Sequence, residues 1–337
     1  MENETPHLPQ EIVANILVRL PVKSLIRFQC VCKYWKDLFK TPSFIAEHLH
    51  HSTQQNPLLV FDCYSSKCGS NNDKNNPWHL SSLNREMQVL EFQNPPIVDP
   101  LMRFWRIVHS SNGLFCLELI MADESDSFWL WNPAIRDVRQ VPKSLNHYEC
   151  EDFSVGFGFS LVVNDYKIVK LFIINLLVFQ VEVYALTTGF WRKVKFRNLE
   201  GISLMSDSGF TYNGSIFWVG LQVGIDPGLI VSFDVAMEVF TLIPFPTKSL
   251  FLESYGITFT MYDNKLALLS STFIGIHESS FIDLWVIEES TNESRERWIW
   301  TKIYTSRPYP RGLCPMVIWR NEIFVDSIQC LEGNLKK

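Results

Sequence analysis

The residues that could carry chemistry are few, and their spacing argues against catalysis. Gly156-Phe-Gly-Phe-Ser-Leu161 begins like a nucleotide-binding turn, in which backbone N–H groups close on a pyrophosphate. It lacks the third glycine and sits among strand-type residues, and no phosphate loop, G-x-S-x-G elbow or H-E-x-x-H pair occurs elsewhere. Cys63, Cys68 and His79 are zinc-type donors, but no second paired ligand set follows them. His48-Leu-His-His51 reads as a solvated helix end, and Asp123-Glu124 and Glu288-Glu289 read as acidic surface turns. The expectation is a non-catalytic protein with no catalytic residue, cofactor or metal.

The elements around those residues are built from apolar material. Hydrophobic residues make up 47% of the 337 and the formal net charge is −6, which suits a folded chain with one large and one small domain. No excess of positive charge suggests nucleic acid as a partner. Leu171 to Val181 is the longest charge-free apolar run, far short of the roughly 20 residues that cross a membrane, and it reads as one buried strand. The acidic start Met1-Glu-Asn-Glu4 is unlike a secretory signal, so a cytoplasmic or nuclear location is expected, with the eight cysteines as free thiols.

Helical spacing is confined to the first fifty residues. Pro9 can open a helix and Glu11 suits its positive end; Ile12, Val13, Ile16, Leu17 and Leu20 then form a broad apolar stripe until Pro21 interrupts. Val22, Leu25, Ile26 and Phe28 make a second short unit, and Val31, Trp35, Leu38 and Phe39 a third. Thr41-Pro-Ser-Phe44 caps and begins another turn. Three or four such helices bury too little surface for comfortable stability, and their stripes are wider than they can cover among themselves.

The segment Leu8 to about Leu49 resembles the F-box, through Leu8-Pro9, Ile16-Leu17, Leu20-Pro21, Lys23-Ser24-Leu25, Arg27-Phe28, Val31-Cys32-Lys33, Trp35 and Pro42-Ser43-Phe44. The resemblance implies docking onto a Skp adaptor and, through it, onto the cullin and RING subunits of a ubiquitin ligase. It also implies that Leu8, Pro9, Ile12, Ile16, Leu17, Leu20, Pro21, Val22 and Leu25 supply the adaptor face, with Trp35 and Leu38 in the internal core. Residues 1–50 are then the F-box, 51–56 a linker and 57–337 a second domain.

In that second domain a pattern recurs about every fifty residues. Turn dipeptides stand at Asn112-Gly113, Asn164-Asp165, Asn213-Gly214, Asp263-Asn264 and Asn321-Glu322, each followed by strand-type residues. Trp131, Tyr184 and Phe233 each have an apolar residue seven positions on, at Val138, Trp191 and Phe240, the spacing of two antiparallel strands around a polar turn. Trp285 begins a fourth such unit, interrupted by the insertion Ser290 to Glu296 before Trp298 and Trp300. This period fits a β-propeller of about six blades, the last incomplete, so the fold expected is mainly β behind a small α domain.

The order of motifs resembles the F-box-associated domain, a kelch-like region found mainly in plants: Ser110-Ser-Asn-Gly-Leu-Phe-Cys-Leu117, Trp131-Asn-Pro-Ala-Ile-Arg-Asp137, Val181-Glu-Val-Tyr184 and Phe233-Asp-Val-Ala-Met-Glu-Val-Phe240. Within that group the chain is similar to the S-locus F-box-like proteins. The resemblance implies a substrate-recognition subunit that bridges the adaptor and a target protein for ubiquitination, with a pistil ribonuclease as the target in self-incompatibility; a propeller scaffold independent of the adaptor is the alternative. Target contacts are expected on the loops 123–127, 144–152, 205–208, 223–228, 276–280 and 289–297, since binding residues ride on loops held by a rigid scaffold.

Overall fold

The computed structural model describes residues 8–55, 58–64, 78–97, 101–122, 126–145, 152–222, 228–247, 250, 254–274, 279–289, 298–309, 313–320 and 322–327. The chain divides into two compact units, residues 1–143 with 161–165, and residues 144–160 with 166–337.

The first unit opens with four helices, α1 (Gln10–Val18), α2 (Val22–Phe28), α3 (Lys33–Leu38) and α4 (Pro42–Gln55). Prolines set the first two, because Pro9 and Pro21 stand at the N-caps with extended backbone that cannot belong to a preceding helix. The Cys32 sulfur accepts the Trp35 N–H at the start of α3, and Thr41 Oγ1 accepts the Phe44 N–H at the start of α4. The expected linker at 51–56 is helical through Gln55.

Two sheets follow in this unit: β1 (Leu59–Tyr64), β2 (Trp78–Leu83) and β3 (Val89–Phe92), then β4 (Met102–Ser111), β5 (Leu114–Met121), β6 (Asp126–Asn132) and β7 (Asp137–Gln140). Both are antiparallel meanders. Leu80 from the first sheet and Trp105, Phe115, Leu117, Leu119 and Trp131 from the second form one buried cluster.

The second unit holds β8 (Asp152–Ser160), β9 (Asp165–Ile174), β10 (Leu177–Ala185) and β11 (Phe190–Lys193) in one sheet. A five-stranded sheet contains β12 (Ile202–Leu204), β13 (Phe210–Tyr212), β14 (Ser215–Gln222), β15 (Gly228–Asp234) and β16 (Phe240–Pro244). A third contains β17 (Ser254–Tyr262), β18 (Lys265–Ile274), β19 (Ser279–Glu289) and β20 (Trp298–Thr305). A two-stranded ribbon, β21 (Leu313–Trp319) and β22 (Glu322–Ser327), completes it.

Among the described residues five blades, rather than about six, follow the helices. The ribbon accounts for the difference: Ile318 and Ile323 pack onto the buried face of the β17–β20 sheet, and the Ile318 N–H donates to Thr260 Oγ1 at 3.0 Å. It has a hairpin turn of its own but serves as an accessory to a neighbouring sheet.

The aromatic spacing seen in the sequence is cross-strand pairing. Trp131 stands opposite Val138, Tyr184 opposite Trp191 and Phe233 opposite Phe240. The last two pairs hold their rings 5.5 and 4.8 Å apart. In the fourth unit the longer connection changes the partner, and Trp285 faces Lys302, whose ammonium lies 4.7 Å from the ring centroid.

The turns follow the asparagines with two corrections. Asn112-Gly113 and Asn213-Gly214 have both residues left-handed, as two-residue hairpins of this hand require, and Asp263 and Asn264 do the same without glycine. In the last hairpin the turn lies one residue earlier than expected, since Trp319 pairs with Glu322 and Arg320 has φ 52°. The apolar run from Leu171 to Val181 is two strands, with Asn175 and Leu176 left-handed between Ile174 and Leu177.

Candidate functional site

Two apolar stripes run along α1. Val13, Leu17 and Leu20 face the interior, where buried Leu17, Val18, Leu25 and Phe44 form a small core that Phe28, Trp35, Leu38 and Phe39 pack against. On the other side Ile12 and Ile16, spaced by four and so aligned on one ridge, are 46% and 48% exposed, and Leu8, ahead of the Pro9 N-cap, is 59% exposed. Pro9 and Pro21 are exposed, Leu20 and Val22 half-buried, and Ile26, Val31 and Tyr34 add further exposed apolar surface.

Leu17 and Leu25, expected on the adaptor face, are instead 2% and 7% exposed and belong to the core of the helical cluster. Only one side of α1 can turn outward, and its outward ridge is the Ile12, Ile16 row, with Leu8 exposed ahead of the helix. Trp35 and Leu38 lie in the half-buried shell of the same core.

His48 is a second correction. It is buried, its ring stacks on Phe44 at 6.2 Å, and Nε2 lies 3.0 Å from the Leu20 carbonyl. A carbonyl only accepts, so Nε2 carries the proton and donates, which leaves Nδ1 to accept from Ser52 Oγ at 3.5 Å. The i, i+4 spacing of Phe44 and His48 was the available signal for this contact.

Of the expected target loops, 205–208 is fully described and is a seam rather than a free rim. Asp207 O accepts from the Val155 N–H at 2.9 Å, Val155 O accepts from the Gly209 N–H at 2.8 Å, and Ser206 O accepts from Ser154 Oγ at 2.7 Å. These bonds sew β8 to the next sheet. Most of the other five loops, like Cys68 of the imagined zinc set, lies outside the described residues. Among the described residues no group of three or more metal-type side chains converges, and no helix is long and apolar enough to cross a membrane.

The family models resolve the chain into two parts. An F-box domain matches residues 6–46, and an F-box associated beta propeller domain matches residues 59–316. The chain belongs to the F-box proteins with an associated β-propeller. Two F-box/kelch-repeat proteins of Arabidopsis thaliana are similar to this F-box protein. One is 26% identical over 312 residues, covering 89% of this chain and 79% of its own length. The other is 23% identical over 309 residues, covering 88% and 76%. The crystal structure of TolB from Acinetobacter baumannii is similar at a TM-score of 0.33 and 8% identity, over 70% of this chain and 64% of that one, a likeness that carries no argument.

Proposed function

We propose that this F-box protein is the non-catalytic substrate receptor of a Skp-cullin-F-box ubiquitin ligase. The helical end docks the Skp adaptor, the propeller holds a target protein, and transfer is favoured by the high effective concentration of the target near the ubiquitin-loaded enzyme. The observation that carries this reading is the exposed aliphatic ridge of Ile12 and Ile16, with exposed Leu8 just ahead of it, on a helix whose other side is already buried. Exposed Pro9 and Pro21 and half-buried Leu20 and Val22 flank it. Leu17 and Leu25 act indirectly, by holding the helices that present the ridge.

Docking of this kind concentrates energy in a few large anchors. Ile12→Asp with Ile16→Asp places two charges in the docking surface while leaving the Leu17, Leu25 and Phe44 core intact. Co-purification with a Skp adaptor and cullin tests the reading: the wild type retains both and the double variant loses both. Equal recovery of adaptor with either form overturns it, and a wild type free of cullin favours an adaptor-independent scaffold. The S-locus resemblance makes a pistil ribonuclease the first target to assay in the same purification.

A further inference from the structure

The segment Phe190-Trp-Arg-Lys-Val-Lys-Phe-Arg197 places four cations in eight residues of a chain whose net charge is −6. Its first half is β11, the terminal strand of its sheet. Trp191 turns inward there, while Arg192 and Lys193 are exposed and Phe190 is 74% exposed. Lys195 and Arg197 continue the row, also exposed.

Facing this row, across a groove of about 500 Å³, is the turn between β15 and β16, with Met237 and Val239 exposed. Both walls are fixed. Asn198 Nδ2 donates to Phe240 O at 2.9 Å, and Lys167 Nζ donates to Val235 O and to Glu238 Oε1, each at 2.6 Å. Glu238 is the one acidic residue among the described residues lining the groove, and it is shared between Lys167 and Arg192. The lining therefore keeps a net positive charge, with Lys195 and Arg197 beyond the ion pairs and Lys193 donating to Gln180 Oε1 at 3.0 Å.

We propose that this groove binds an extended acidic peptide segment of a partner protein, the carboxylates meeting Lys193, Lys195 and Arg197 and an apolar side chain settling against Phe190, Met237 or Val239. A terminal strand suits an extended peptide, which can lie along it. The apolar rim and the negative net charge of the chain favour a peptide over a nucleic acid, whose phosphate ladder needs a longer basic track. This deepens the receptor reading by giving the propeller a target-holding surface and a target chemistry.

The test is fluorescence anisotropy on the full-length protein with a labelled ten-residue peptide alternating Glu with Leu. The expected result is saturable binding that weakens with added salt, falls about tenfold in Lys195→Glu/Arg197→Glu, and falls less in the neutral Lys195→Gln/Arg197→Gln. Both positions are exposed, so the melting temperature of each variant should match the wild type, and adaptor co-purification should not change. That separation distinguishes failure of this surface from failure of the adaptor reading. No binding, an affinity indifferent to both double variants, or equal affinity for a single-stranded oligonucleotide of matching charge overturns the proposal.

Discussion

His48 Nε2 donates to the carbonyl of Leu20 at 3.0 Å, tying α4 to the chain that leaves α1. The bond is part-buried, and it gives a partner to a carbonyl just beyond the end of α1. His48→Ala should therefore lower the stability of the helical cluster by about 1–2 kcal/mol, from the lost bond and the lost contact with Phe44. His48→Gln, which keeps a donor, should recover part of it. Amide exchange of α1 and α4 measures both; equal protection in His48→Ala and wild type would show that the bond is not structural.

Lys167 and Glu238 form a buried ion pair between β9 and the β15–β16 turn, with side chains 7% and 11% exposed. Removing the carboxylate takes the Glu238 charge away from a buried ammonium, which costs about 3 kcal/mol. Glu238→Ala should lower the denaturation midpoint strongly. Pairing it with Lys167→Met, which removes the buried charge, should restore a large part of the loss, and a double-mutant cycle in urea reads the coupling directly.

The described thiols differ in accessibility. Cys30 and Cys32 are exposed, whereas Cys116 is buried on β5. Burial, and secondarily the Glu118 carboxylate, pushes the Cys116 thiol up, so it stays protonated through the neutral range and lacks the reactive thiolate. Iodoacetamide at pH 8 should label Cys30 and Cys32 on the native protein and reach Cys116 only after denaturant is added. Mass spectrometry of the tryptic peptides checks it, and native labelling at Cys116 would contradict the burial.

Much of this architecture was legible because its signals are local. Proline positions set the helix starts, and the seven-residue offset from Trp131, Tyr184 and Phe233 is a consequence of hairpins of constant length. Signals that depend on the third dimension were not legible. Counting turns counts hairpins, so the β21–β22 ribbon was counted as a blade. The adaptor face was hard to assign because α1 is apolar on two sides, and only packing shows that Leu17 turns in while Ile16 turns out. The 205–208 seam is made by backbone groups with one serine hydroxyl, Ser154, and backbone groups carry no side-chain signature.

The missed turn at Asn175-Leu176 has its own consequence. A leucine at φ 68° is strained, because its Cβ crowds the backbone in the left-handed region, and here the side chain is 73% exposed and gains little in return. Leu176→Gly creates Asn-Gly, the preferred pair for such a hairpin, and should stabilise the protein by about 1 kcal/mol. Chemical denaturation would detect the gain as a higher midpoint at constant slope. A loss would mean that the Leu176 side chain is held by a contact worth more than its strain.

Gly156 and Gly209 lie against the ring of Trp218, which is fully buried. A Cβ on Gly156 would meet Trp218 Cζ2 at 2.5 Å and Ile216 Cγ2 at 2.6 Å, and one on Gly209 would meet the same two side chains at 2.6 and 2.5 Å. The glycine-rich run that superficially suggested a nucleotide turn thus exists to let a strand approach a tryptophan. Gly156→Ala should cost about 1–3 kcal/mol by overpacking, since the indole is enclosed in the β10–β15 core and has little room to move. Because the clash is partly with the ring and partly with Ile216, Gly156→Ala combined with Trp218→Phe should show a smaller loss than the two single changes added together. Thermal melts of the four proteins decide it: strict additivity would place the cost of the alanine somewhere other than the Trp218 contact.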